Sequence, residues 1–200
     1  MTSPLIDAVL RRDLSALYGA DGRHYHGLSH IEALLALAAE YRALLSDPDA
    51  VEAAIWFHDA VYDSRAKDNE ARSAELARRK LAGKTAPERL ARIAAMIEAT
   101  ATHELPRFAD PAKTRDAALF LDMDLSVLGA PQEVFDAYEQ AIRREYAWVP
   151  EEAWRSGRTA VLQAFIQRPH IFHTEEFRNR FEKQARLNIA RSLKRLEGKS

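Results

Sequence analysis

The chain has 200 residues, no cysteine and a formal net charge of −1. That length suits one good-sized domain or two small ones, and the missing cysteines exclude disulfides and thiolate metal sites. The near-neutral balance argues against a broad nucleic-acid or membrane-binding surface, while a local basic pocket stays open.

The first stretch, "MTSPLIDAVLRRDL", is amphipathic and charged early, unlike a signal peptide, and no apolar run reaches membrane-spanning length. The expectation is a cytoplasmic protein. Ala, Leu, Glu and Arg dominate, Gly is sparse, and apolar residues recur at helical spacing almost everywhere. A first helix is predicted over about residues 4–18, ended by Gly19, and a second over about 28–45. "SDPD" starts a third, with Pro48 in the first turn, where its missing N–H costs nothing. That helix carries His58 and Asp59 near its C-terminal end. The loop "DSRAKD" leads to a fourth helix over about 69–81, stopped by Gly83. Thr85 and Glu88 match the capping box of a fifth. "ATHELPRFADP" is a loop. Further helices are predicted over about 114–127, 131–147, 151–167 and 174–196, the last capped by Thr174. The fold class is all-α. One domain over 1–200 is expected, with a core over about 20–130 and C-terminal helices over about 131–200 packed on it.

Three places put His or Asp where a plain helical core would put Leu. In "HYHGLSHI", His26 and His30 lie four apart ahead of apolar Ile31, Leu34 and Leu35. In "AIWFHDAVYD", His58 and Asp59 interrupt a strongly apolar run. In "FLDMDL", Asp122 and Asp124 do the same. Burying a carboxylate unpaired is expensive, so such residues are normally paired, metal-bound or neutralised. Imidazoles and carboxylates from three helices can converge on one divalent cation, and that donor set suits Mn²⁺, Fe²⁺, Co²⁺, Ni²⁺ or Zn²⁺. Taken singly, each has a plainer explanation. His30 reads as a satisfied core histidine, His58–Asp59 as a hydrogen-bonded pair and Asp124 as the partner of an arginine. The order His, His-Asp, Asp, each inside apolar helix, is harder to reach by accident.

On these residues the chain resembles the HD superfamily of metal-dependent phosphohydrolases. It is similar in particular to a bacterial group with YHxxxHI, FHDxVYD, NExxSA and DxDLSxLG segments, all present here, as are "AIRREY" and "GRTAVL". The resemblance implies an all-α HD-type bundle with one divalent ion, Mn, Co, Ni, Fe, Zn or Mg, held by His30, His58, Asp59 and Asp124. Asp122 competes with Asp124 for the last place. It also implies hydrolysis of a phosphate ester of a nucleotide or other small molecule, while the near-neutral charge and the lack of a long apolar run lead us to expect no extended nucleic acid and no membrane as partner.

The resemblance further implies that a metal-activated water attacks, oriented by Asp59 or Asp124, and that His26, the first His of the YHxxxHI segment, protonates the leaving oxygen. Glu70 is a candidate base, or an ordinary first-turn glutamate favoured by the helix dipole. Phosphate calls for a cationic clamp, and Arg suits it through its planar fork. Candidates for contacting substrate are Arg158, Arg144, Lys67 and His103, with Arg23, Arg143 and Arg168 further cations to weigh. Competing functions are a catalytically silent metal- or nucleotide-binding module, a di-iron oxygenase on the same fold that recruits His103, and a metal-free helical scaffold. The aromatic stretch "AYEQAIRREYAWVPEEAW" reads equally as a homodimer interface or as internal packing.

Overall fold

The structure, a computed structural model, describes residues 4–198. Those residues form helices joined by short turns, with no strand among them. No helix among them is long and apolar enough to cross a membrane. The chain divides into two compact units, one ending at Asp124 and the other beginning at Leu125.

The first unit is organised around α3 (Pro48–Phe57), which packs against α1 (Ala8–Tyr18), α2 (Leu28–Glu40), α4 (Asn69–Leu81) and α5 (Pro87–Ala99). A helix surrounded by neighbours must be apolar on every side. In α3, Ala50, Val51, Ala53, Ala54, Ile55, Trp56 and Phe57 are all buried. In α6 (Pro111–Leu125) every residue from Ala117 to Met123 is also buried, and Asp122 is the one polar side chain among them.

Entry to α3 is fixed by two carboxylates. Asp47 caps it, accepting from the Ala50 N–H, and Asp47 also receives Arg89 and Arg92. Buried Asp116 accepts from the Ser46 and Asp47 N–H groups at 2.7 and 2.9 Å. These bonds explain why the second helix is shorter than the periodicity predicts. It stops at Glu40, and Arg42–Leu44 form a 3₁₀ turn that feeds the Ser46–Asp47 corner. The predicted capping box of α5 does not form. Pro87 occupies its first turn, Ala86 becomes the cap, and no side chain bonds there.

In the second unit, α7 (Gln132–Glu145) and α8 (Glu151–Ile166) precede a C-terminal segment of three pieces. Thr174 caps the short α9 (Glu175–Phe177), Arg178–Glu182 widen into a π turn, and α10 (Lys183–Leu196) completes it. The π turn presents Glu182 to the Ile171 and Phe172 N–H groups, and it places Phe181 against the backbone of Gly129.

Candidate metal centre

Helix α3 ends at Phe57, so His58 is its cap residue and Asp59 lies in the turn beyond, outside the helix predicted to carry it. The turn frees Asp59 from helical spacing, so its carboxylate faces the same point as the His58 ring. Asp59 Oδ2 lies 3.0 Å from His58 Nε2 and 3.8 Å from His30 Nε2. His30, in the first turn of α2, brings its Nε2 to 3.2 Å from His58 Nε2. Asp124, near the end of α6, sets Oδ1 at 3.1 Å from His30 Nε2 and 3.6 Å from His58 Nε2. Ligand atoms of His30, His58 and Asp124 all lie within 4.8 Å of one another. This cluster can bind a metal ion.

The donor set fits a cation on a specific ground. His58 Nδ1 is 2.9 Å from the Ile55 carbonyl, an oxygen that only accepts. Nδ1 therefore carries the hydrogen, and in the neutral ring the lone pair sits on Nε2, aimed at His30 and the carboxylates. The two imidazoles are almost sealed from solvent, at 4% and 1% side-chain exposure. Asp59 and Asp124, at 14% and 12%, form the more open side. Burial alone would discharge His58, but the Asp59 and Asp124 charges outweigh it and hold the imidazole well above its usual pKa. Burial likewise opposes the Asp124 charge, and His58, His103 and His30 outweigh it, so this carboxyl sits well below the usual range. Asp59 is lowered in the same way, against burial, chiefly by His58 and His26. Positive charge is what these groups jointly demand.

Around the cluster stand groups that orient it. His26 stacks on Tyr62, with ring centroids 4.4 Å apart, and lies 6.3 Å from the His30 ring. His103 directs Nε2 to Asp124 Oδ2 at 2.9 Å, the oxygen opposite the one facing His30. Of the residues predicted to meet substrate, His103 is therefore the one joined to the cluster, and through a ligand candidate. Arg158 is not available for phosphate: it is buried, ion-paired with Glu139 and bonded to the Tyr138 hydroxyl at 2.8 Å. Lys67 and Arg144 are exposed. Glu70 is half-buried in the first turn of α4. Asp122 is buried in α6 two residues before Asp124, apart from the triple.

The "NEARSA" segment does its work through residues other than Glu70. Asn69 accepts from the Asp63 N–H and donates to the Asp63 carbonyl, while the Ser73 hydroxyl accepts from the Val61 N–H. Together they pin the backbone that follows Asp59. The only sequence signal was an Asn and a Ser four positions apart after a polar loop, and an ordinary helix start explains that as well. The chain matches no family model, no curated protein and no solved structure, so its own geometry carries the functional reading.

Proposed function

We propose that this chain is a metal-dependent phosphohydrolase of the HD type, acting on a phosphate ester of a nucleotide or another small molecule. One observation carries the reading: two buried imidazoles with Nε2 atoms 3.2 Å apart, one with its tautomer fixed by a main-chain carbonyl, face two carboxylates on the more open side of the cluster. His30, His58 and Asp124 would hold one divalent ion, with Asp59 completing the set. When bound, such an ion supplies Lewis acidity, which activates water and polarises a phosphoryl oxygen.

The chain's own residues would do the rest. Asp59 and Asp124, on the more open side, orient the attacking water. His26, held flat by Tyr62, donates a proton to the leaving oxygen; a positioned acid of this kind contributes roughly 10²–10⁴-fold. The formal charge of −1 favours a small substrate over a polyanion.

Elemental analysis of the wild type beside a His58→Ala, Asp59→Ala double variant tests the reading. One equivalent of a transition metal, lost in the double variant, supports it and leads to a phosphate-ester screen with Mn²⁺, Co²⁺ and Ni²⁺. Two irons per chain would favour a dinuclear oxygenase instead, with His103 on the second Asp124 oxygen as the extra ligand. No metal after reconstitution would make the His58–Asp59 pair structural.

A further inference from the structure

Arg23 sits just ahead of the "HYH" segment, where a basic residue is easily taken for a phosphate clamp. Its guanidinium does something else. NH1 donates to the His26 carbonyl at 2.9 Å and to the Asp59 carbonyl at 2.7 Å, and NH2 donates to the Ala60 carbonyl at 3.1 Å. The three acceptors come from two segments more than thirty positions apart in sequence. One carries His26 and leads into His30. The other is the turn that carries Asp59.

The cation is also enclosed. The Tyr18 ring lies 5.1 Å from its central carbon and the Tyr62 ring 5.4 Å. Both tyrosines are tied to the site. The Tyr18 hydroxyl donates to the Trp56 carbonyl in the last turn of α3, and Tyr62 is the ring on which His26 stacks. Arg suits this place because its planar fork reaches several carbonyls at once, with aromatic rings against its faces. A lysine carries the same charge as a single point and cannot span the three.

We infer that Arg23 is a positioning residue, which locks the His26 segment to the Asp59 turn so that both side chains meet the His30–His58–Asp124 cluster in register. Its role in catalysis rests on the metallohydrolase reading; its role in geometry does not. Outer residues that orient ligands typically contribute about 10–100-fold to metal affinity or activity.

The test compares Arg23→Lys and Arg23→Gln with the wild type and with Asn188→Ala. Asn188 is buried in the second unit, where it bonds the Leu128 and Ala130 carbonyls, so its loss lowers stability without touching the site. Imidazole NMR signals of His26 and His58 are recorded on metal-free protein. Co²⁺ and inorganic phosphate affinities follow by calorimetry. Both Arg23 variants are expected to shift or broaden the His26 and His58 signals and to weaken Co²⁺ about 10–100-fold. Asn188→Ala should do neither.

Unchanged imidazole signals in Arg23→Lys would overturn the inference, and a loss confined to phosphate affinity would make Arg23 the clamp after all. The lysine keeps the charge and stem, so the variant is expected to fold. A chain that stayed unfolded by circular dichroism would also sink the inference, because the guanidinium would then serve the fold and not the site. If the wild type bound no Co²⁺, the metallohydrolase reading would fail, while the imidazole spectra would still decide the part played by Arg23.

Discussion

His103 Nε2 lies 2.9 Å from Asp124 Oδ2, and His103 holds that position with a φ of 54°, in the left-handed region. It is the one non-glycine residue with positive φ among those described. The conformation follows from how α5 ends. The His103 N–H closes on the Ala99 carbonyl at 2.7 Å, the kind of turn at which glycine is usual. A β-carbon there costs about 1–2 kcal/mol, and such outliers persist where the surroundings and function demand them. Glycine would relax the backbone and leave Asp124 without its orienting imidazole.

The first prediction uses both effects. His103→Gly is expected to be more stable than His103→Ala by about 1 kcal/mol, because only the alanine retains the left-handed strain. Both should lose about 10–100-fold in Co²⁺ affinity. Urea unfolding and calorimetry read the two quantities separately. Equal stability of the two variants would mean that the turn carries no strain.

A second prediction concerns the bound ion. A cation that binds only the folded site stabilises it by about 2.7 kcal/mol at a hundredfold excess over Kd. Mn²⁺ or Co²⁺ should therefore raise the melting midpoint of the wild type. The rise should vanish in Asp124→Asn, which keeps the shape of the side chain and removes its charge. A metal-dependent rise that survived Asp124→Asn would place the ion elsewhere.

Much of the scaffold was legible in the sequence. The helix read over 69–81 coincides with α4, and Thr174 caps the C-terminal segment as its position suggested. The three polar interruptions in apolar helix do come together, since His30, His58 and Asp124 form one cluster. What the sequence hid depends on long-range contacts. Arg158 was a candidate phosphate clamp on its residue type, yet its partner Glu139 stands on the preceding helix. The role of Arg23 depends on carbonyls 36 and 37 positions away, and a main-chain acceptor leaves no trace in residue type. His103 was legible as a candidate near the site, but its left-handed turn was not, because such a turn is normally announced by Gly or Asn and here neither is present.

Arg158 supplies the third prediction. Its charge is buried, at 8% side-chain exposure, and Glu139 compensates it. Removing one partner of a buried ion pair costs about 3–5 kcal/mol, because the other is left uncompensated. Arg158→Ala and Glu139→Ala should each lower unfolding stability on that scale in urea titrations. A phosphate clamp behaves differently, so an Arg158→Ala variant with wild-type stability and weakened phosphate binding would return Arg158 to the substrate site.

The fourth is a pH dependence set by Asp47. Burial raises its pKa, but the bond and charge of Arg89 prevail and hold the carboxyl below the usual range. A group with a depressed folded pKa contributes stability that is fully present above its unfolded value, about 3.9 for Asp. That contribution disappears as pH falls from there through the folded value. Wild-type stability should therefore decline below about pH 4 more steeply than that of Asp47→Asn. The asparagine keeps a capping oxygen and loses the titration. Acid-unfolding curves followed by circular dichroism measure the difference, and parallel curves would remove Asp47 from the account.

The last prediction tests the backbone contact that the π turn creates. A β-carbon added at Gly129 would lie 2.6 Å from Phe181 Cβ, 2.7 Å from its carbonyl oxygen and 3.0 Å from its Cα. None of these atoms can swing aside as a side-chain tip would, so the clash must be relieved by moving main chain. Overpacking of this kind typically costs about 1–3 kcal/mol. Gly129→Ala should lose stability in that range by urea titration. Phe181→Ala in the same background should not restore it, because alanine keeps the Cβ, the Cα and the carbonyl that cause the clash. Rescue by Phe181→Ala would show that the aromatic ring, and not the close approach of the two backbones, sets the tolerance at this position.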